Sequence, residues 1–373
     1  MIGILYSKQM LHRLIRGSRS YEKPGFYLEA ARQAGEDIIF FSLPDINWAE
    51  GTVHSWDGEQ LFQLQRNLPS IIINRTRTNS AHSKIMIQRL KQMGRLVINE
   101  QSVVSKLEIH HILSKNNKLL PHLPKTYSVS YYAVKKLLEQ YSSLFLKPST
   151  ASVGNGIIRI RKLSTGTVTE VNVLGRTKRR KASIHQVITM VRKQKRDYLV
   201  QQGISLMKYE GRPVDFRVSV QKNGNGHWQC TGIVGRLAQQ GAIVTNLRCG
   251  GKALKASEIF YNLGLNGAEI EKKITELGIL VAETLDNSLS FVADTGLDIA
   301  LDEQQHPWLI EVNFRDLRIT FRDAGEEEKW RATFENSINY AAYQNRQVMQ
   351  EEKNVSSDSE EGVRMENEAS LKG

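Results

Sequence analysis

Three oxygen-bearing side chains toward the C-terminal end are spaced so that a β-sheet would aim them together. They are Asp298 in GLDIALD, and Glu311 and Asn313 in LIEVN. Residues two apart on a strand share a face, so Glu311 and Asn313 project the same way, and Asp298 lies opposite them on the paired strand. Their neighbours Leu297, Ile299, Ile310 and Val312 are apolar, and oxygens set among apolar residues go unsatisfied without a cation. Mg²⁺, a hard ion that takes carboxylate oxygens together with phosphate and water, is the natural partner. The alternative is a strand whose acids simply face solvent.

A second group could handle phosphate. Lys147 ends the apolar run SLFLK and is followed by Pro148 and the glycine-bearing segment 149–156. The lysine supplies charge, while Gly154 and Gly156 would let backbone N–H groups close over oxygens; an ordinary hairpin turn reads the same way. Between the two groups stand Asp215 and Arg217 in VDFRV, Arg236 in IVGRL, and Asn246 with Gly250 and Gly251 in TNLRCGG. Arg217 and Arg236 suit bidentate contacts to phosphate or carboxylate. The plainer reading is an exposed ion pair with Asp215.

Strands and helices must position these groups. MIGILY, IIFFSLP, SIIINRT and LVINE read as short apolar strands. YLEAARQA, stopped by Gly35, and roughly 82–93 read as helices between them. That alternation predicts a parallel α/β lobe over residues 1–100. A helix around Leu107–Leu113 ends before Pro121 and Pro124, and YYAVKKLLEQY is a second amphipathic helix. SLFLKPS is a strand, 157–173 alternates as a hairpin would, HQVITMVRKQ is helical and YLVQQGI is a strand. Residues 213–248 hold three strand-like runs, VDFRVSVQK, HWQCTGIVGRL and AIVTNL. A long helix follows over 268–290, then a hairpin turning at Asp302–His306, then a helix over roughly 326–346. The expected organisation is α/β with α+β lobes: 1–100, 101–204, 205–347, and a disordered acidic tail over 348–373.

In order and spacing, Lys106, Lys147-Pro with SVGNGI, YLVQQGI, DFR, R…TN…GG and D…E-x-N resemble the ATP-grasp superfamily. The likeness is to the branch of glutathione synthetases and RimK-type glutamate ligases, and more narrowly to the YheC/YheD family of endospore coat-associated proteins, over roughly residues 1–347. The resemblance implies an ATP-grasp fold with an N-terminal pre-ATP-grasp lobe. It further implies ATP and Mg²⁺ as cofactors, and ADP-forming ligation of a small-molecule or peptide carboxylate to an amine (or thiol) through an acylphosphate. Lys106 and Lys147 would contact ATP phosphates, and the loop with Ser152, Gly154 and Gly156 would close over them. Gln201, Gln202 and Ile204 would form the hinge against adenine, and Asp298, Glu311 and Asn313 would hold Mg²⁺. Arg217, Arg236 and Asn246 would face the transferring phosphate or the acceptor. RimK-type ligases follow E-x-N with a small residue and Pro-Gly; here Phe314-Arg315-Asp316 follow, with Arg318 and Arg322 beyond, which leaves the acceptor unassigned. A nucleotide-binding assembly protein of the spore coat without turnover is the competing function.

Composition narrows the field. The formal charge is +12; the seven acids of 350–373 make that tail about −4 and leave the rest near +16, a body that favours anionic ligands. Residues 176–196 hold nine basic residues and no acid, either a docking surface for an acidic polymer or coat protein, or a solvated loop. No aromatic interleaves them, so nucleic acid is not the expected partner. Cys230 and Cys249, the two cysteines, suit a reducing compartment and exclude a disulfide framework. No run approaches the roughly 18 apolar residues of a membrane helix, and the start lacks a signal-peptide pattern. A cytoplasmic location is therefore expected, in the mother cell or at the spore surface by resemblance. Neither a Ser-His-Asp nor a Cys-His pattern stands out.

Overall fold

The computed structural model describes residues 1–18, 20–58, 64–150, 156–163, 166–173 and 176–370. Its chain opens with β1 (Ile2–Tyr6), α1 (Lys8–Ile15), α2 (Pro24–Ala34) and β2 (Ile38–Ser42). A small antiparallel sheet of β3 (Ile46–Asn47), β4 (Thr52–Ser55) and β5 (Leu64–Asn67) comes next, then β6 (Ile71–Asn74), α3 (Ala81–Gln92) and β7 (Leu96–Ile98). Strands β2-β1-β6-β7 pair in parallel, as the alternation of apolar runs and helices predicts. Gly35 ends α2 in the left-handed region, φ +68°, where a side chain would be strained.

A second sheet is antiparallel and carries the lysine strand. After α4 (Lys106–Leu113) come β8 (Thr126–Ser128), α5 (Tyr131–Gln140), β9 (Ser143–Pro148), β10 (Ile158–Leu163), β11 (Gly166–Val173), β12 (Arg176–Lys181), α6 (Ile184–Arg192) and β13 (Tyr198–Gln202). The order β12-β11-β10-β9-β13-β8 buries one face under α5 and α6 through Val134, Leu137, Leu144, Leu146, Val187 and Val200. The start of the basic segment, for which the sequence leaves a docking surface or a solvated loop open, is an edge strand. Glu170 on β11 explains it: this buried carboxylate binds Arg159, Arg161 and Arg179 from the two flanking strands and gathers the basic chains onto the sheet.

The third sheet carries the acids. It is built of β14 (Lys208–Tyr209), β15 (Arg212–Lys222), β16 (Trp228–Leu237), β17 (Lys252–Lys255), β18 (Asp294–Leu301) and β19 (Pro307–Asn313), in the order β17-β16-β15-β18-β19 with β14 beside β15. Helices α7 (Ala256–Asn262) and α8 (Gly267–Asp286) cover one face, where Val218, Val220, Leu297 and Ile299 meet Ile274, Leu277 and Val281. α9 (Ile319–Asp323) and α10 (Glu327–Ser370) follow. AIVTNL is not the strand its apolar pattern predicts: it is a loop ending in a 3-10 turn, Leu247–Cys249. Its polar side chains bind locally instead, Asn246 accepting from the Arg248 N–H and Thr245 donating to Asp215. The backbone of 348–370 is helical as the continuation of α10, where an unstructured acidic segment is expected from sequence; its Gln, Glu, Lys and Met residues are good helix formers.

The first and third sheets share a core and a buried polar seam. Phe321, Trp330 and Phe334 pack with Tyr27 and Phe40 in one cluster. Asn99, in the left-handed region at φ 54°, donates from Nδ2 to the carbonyls of Asp294 and Phe314 at 2.7 and 2.9 Å. Arg75 donates to Glu22 Oε1 at 2.7 Å, to the Asp316 carbonyl at 2.6 Å and to Asp294 at 3.4 Å. Removing one partner of such a buried set leaves charges without compensation. Arg75→Ala is accordingly expected to lower stability by about 3–5 kcal/mol, read as a shift in the urea midpoint; an unchanged midpoint would show that this seam does not hold the lobes.

Candidate active site

The site forms where the second and third sheets face each other. Cross-strand register sets its core: Asp215 on β15 lies opposite Arg236 on β16, and Arg217 on β15 lies opposite Asp298 on β18. Arg236 grips Asp215 with two bonds, Nε to Oδ1 at 2.8 Å and an Nη2 bond to Oδ2 at 2.6 Å, and reaches Asp298 Oδ2 at 2.9 Å. Arg217 donates to Asp298 Oδ1 at 2.9 Å and to Asp316 Oδ1 at 2.9 Å. Asp215, Arg236, Asp298 and Asp316 are buried. The exposed Asp215–Arg217 pair considered from sequence is thus replaced by a buried chain of alternating charges, because pairing across strands brings opposite residues closer than residues two apart on one strand. Burial alone would raise the Asp298 pKa; Arg217 and Arg236 outweigh it and hold the carboxylate below its usual range.

On β18 and β19 the register pairs Asp298 with Glu311 and Gly296 with Asn313, so the three expected oxygen ligands lie on one patch of sheet. Asn313 donates to the Gly296 carbonyl at 3.3 Å, leaving its amide oxygen free of that bond. Glu311 pairs with Lys106 of α4 at 3.3 Å. Among the described residues no three His, Cys, Asp or Glu side chains come close enough to hold a metal by themselves. Two carboxylates and an amide oxygen nevertheless fit Mg²⁺, which keeps waters and phosphate oxygens for the rest of its shell.

Lys147 sits on β9 across from Leu199 of β13, buried, and donates to Gln201 Oε1 at 2.6 Å. Desolvation and the nearby Lys106 pull its pKa down to about 8, against the attraction of Glu311, Asp298 and Asp215. Gln201 in turn donates to Thr126, and the Gln202 side chain accepts from the Lys125 N–H. Gly156 has φ +79°, and a Cβ there would lie 2.9 Å from the Tyr198 hydroxyl, which donates to the Gly156 carbonyl. Ser152 and Gly154 lie outside the described residues.

Two cavities meet here. The larger, about 370 Å³, is lined by Lys147, Arg159, Arg161, Gln201, Gln202, Ile204, Asp298 and Glu311, with Arg236 and Asn246 at one side. The smaller, about 220 Å³, is lined by Lys106, Arg217, Arg236, Asn246, Glu311 and Asn313, together with Arg77, Arg248 and Arg315. Arg236, Asn246 and Glu311 line both. Every candidate among the described residues except Gly156 lines one cavity or both. Arg159, Arg161, Arg77 and Arg248 were not marked by sequence. For the first two the signal was the repeated Arg-x-Arg of a strand opening on the cleft; the others carried none.

A cleft between an antiparallel lysine-bearing sheet and a second sheet of paired acids and arginines is the arrangement of an ATP-grasp protein. The chain belongs to the YheC/D-like ATP-grasp family, whose model matches residues 94–343. It is 25% identical over 330 residues to the endospore coat-associated protein YheD of Bacillus subtilis (strain 168), covering 83% of this chain and 71% of that one. It is 23% identical to YheC of the same organism, covering 84% and 90%. The fold is also that of the D-alanine-D-alanine ligase from Coxiella burnetii (TM-score 0.53, 11% identity, 94% of this chain and 98% of that one). The D-cycloserine synthetase DcsG is similar too, at TM-score 0.50 and 10% identity over 91% of this chain and 100% of that one.

The lowered pKa of Lys147 gives a testable sign. The ammonium is charged below about 8 and neutral above it, and an anion beside it binds the charged form. Affinity for ATP is expected to be full below that pH and to fall by up to about tenfold per unit above it, while Lys147→Met gives weak, flat binding. Calorimetric titrations across this range check it; a wild-type profile as flat as that of the variant would remove Lys147 from the ligand.

Proposed function

We propose that this chain is an ATP- and Mg²⁺-dependent ligase that activates a carboxylate as an acylphosphate and passes the acyl group to an amine, releasing ADP and phosphate. The observation that carries the reading is the shared wall of the two cavities: Arg236, Asn246 and Glu311 border a space suited to a nucleotide and a smaller one suited to a small acid. A carboxylate in the smaller cavity would then meet the γ-phosphate at that wall, and positioning accounts for much of the rate of such a transfer.

In this reading Lys147 and Lys106 bind phosphate oxygens, the turn at Gly156 lets backbone approach them, and Gln201, Gln202 and Ile204 line the adenine end. Asp298, Glu311 and Asn313 hold Mg²⁺, which when bound offsets charge on the phosphates. Arg236, fixed on two sides by Asp215 and Asp298, is preorganised to meet developing negative charge without reorganising. Arg217 orients Asp298 between two strands. Asn246, on the loop shared by both cavities, is placed to bind the acceptor. The names of the solved ligases of this fold support a ligase, and the names of the curated relatives support a role at the endospore coat. No helix among the described residues is long and apolar enough to cross a membrane.

Incubating the purified chain with ATP and Mg²⁺ and a panel of acids and amines, with ADP, phosphate and product mass read in parallel, tests the proposal. Acid-dependent phosphate release with a condensation product is expected. Glu311→Gln should lower that turnover by at least about a hundredfold with an unchanged melting temperature. Tight nucleotide binding with no turnover on any acid would instead favour an assembly protein, and turnover undisturbed in the variant would remove Glu311 from the metal site.

A further inference from the structure

The smaller cavity contains more positive charge than its own acids neutralise. Arg217 and Arg236 are paired with Asp215, Asp298 and Asp316, and Lys106 with Glu311. Three further arginines line the same cavity: Arg77 beyond β6, Arg248 in the 3-10 turn of the loop before β17, and Arg315 just after β19. Among the described residues none of the three has a carboxylate within ion-pair distance. Arg315 is half-buried; its guanidinium donates at 3.4 Å to the Arg75 carbonyl, a neutral acceptor. Burial, with Arg75 and Arg77 nearby, pushes its pKa down despite Tyr21 and Glu22.

Surface arginines near a cleft are common and need no ligand. Here they differ in coming from three separate segments that converge on one small concavity, with one of them partly desolvated and like-charged to its neighbour. Such an arrangement is costly until an anion enters it, and a half-closed cleft focuses the field. Of the three arginines that follow Asn313, Arg318 is buried against Asp294, Tyr27 and Ser337, and Arg322 pairs with Asp323; Arg315 alone of them lines the cavity.

We infer that the acid bound in this cavity is a compact dianion: besides the carboxylate at the Arg236 wall it carries a second anionic group, carboxylate or phosphate-type, held by Arg315, Arg248 and Arg77. The inference rests on the ligase reading for the fate of the first carboxylate but not for the binding of the second group. A volume of about 220 Å³ is below the roughly 300–1,000 Å³ of pockets for drug-sized ligands, so the dianion is small or is the end of a longer chain.

The test is calorimetry on the full chain with Mg²⁺ and ADP, titrating butyrate, glutarate and 4-phosphonobutyrate. Both dianions are expected to bind at least about tenfold more tightly than butyrate, and whichever dianion binds better identifies the second group. Arg248→Ala, at an exposed position, and Arg315→Ala should each shrink that ratio several-fold, with Arg315→Lys keeping part of it. Equal binding of mono- and dianions, no binding of either, or a ratio unmoved in both alanine variants would overturn the inference. Dianions that bind in this arginine-dependent way yet never support ADP formation from ATP would leave the pocket assignment standing and remove the ligase.

Discussion

The site depends on one carboxylate, Asp298, held between two arginines from neighbouring strands. Burying these ions costs several kcal/mol each unless every charge finds a partner, and the sheet supplies partners in alternation: Asp215, Arg236, Asp298, Arg217, Asp316. This row of five ions contains one more acid than base. That residual negative charge borders Lys147 on one side and the Glu311–Lys106 pair on the other, an electrostatic setting that accepts a cation among phosphates. Because the Asp215–Arg236 and Arg217–Asp298 links join residues directly opposite on adjacent strands, this row of ions also fixes register. A slip of β15 by one residue would turn both Asp215 and Arg217 to the other face.

The seam between the first and third sheets extends the same logic away from the cleft. Asp316 accepts from Arg217 with its side chain and from Arg75 with its carbonyl. Asp294, whose pKa burial raises against the pull of Arg318 and Arg75, is two residues from Gly296, where a Cβ would lie 2.8 Å from the Asp316 carboxylate. The turn after β19 thus docks the first sheet and braces the arginine that holds Asp298. Arg318 takes a left-handed backbone there, φ 61°, and the resulting turn sends Arg315 and Arg318 to different surroundings.

Much of this was legible in the amino-acid order. Period-two alternation gave away the Asp298–Asn313 hairpin, and glycine at 35 marked a helix end, because both signals are local. Partnership across strands is not local. Asp215 and Arg217, two apart, invite pairing, whereas Asp215 belongs to Arg236 and Arg217 to Asp298, which only register decides. AIVTNL reads as a strand because it opens on the apolar run Ala242–Val244 with two β-branched residues, but Thr245 and Asn246 bind Asp215 and the turn backbone and so draw it into a loop. For the basic run at 176–181 a docking surface and a solvated loop are both open in the sequence, because the cross-strand pairing of Arg179 with Glu170 is set by register and not by local sequence. The three arginines after Asn313 are indistinguishable by type, and only the fold separates them, with Arg315 at the cavity, Arg318 buried at a left-handed turn and Arg322 on α9 beside Asp323.

The account is tested most directly by isotope transfer. An acid that supports phosphate release would be supplied with both carboxyl oxygens as oxygen-18, and the released phosphate analysed by mass. Attack of that carboxylate on the γ-phosphate predicts that one heavy oxygen appears in each phosphate released during ligation. Phosphate without the label would contradict the account, since phosphate would then have passed to water or to an acceptor other than the acid.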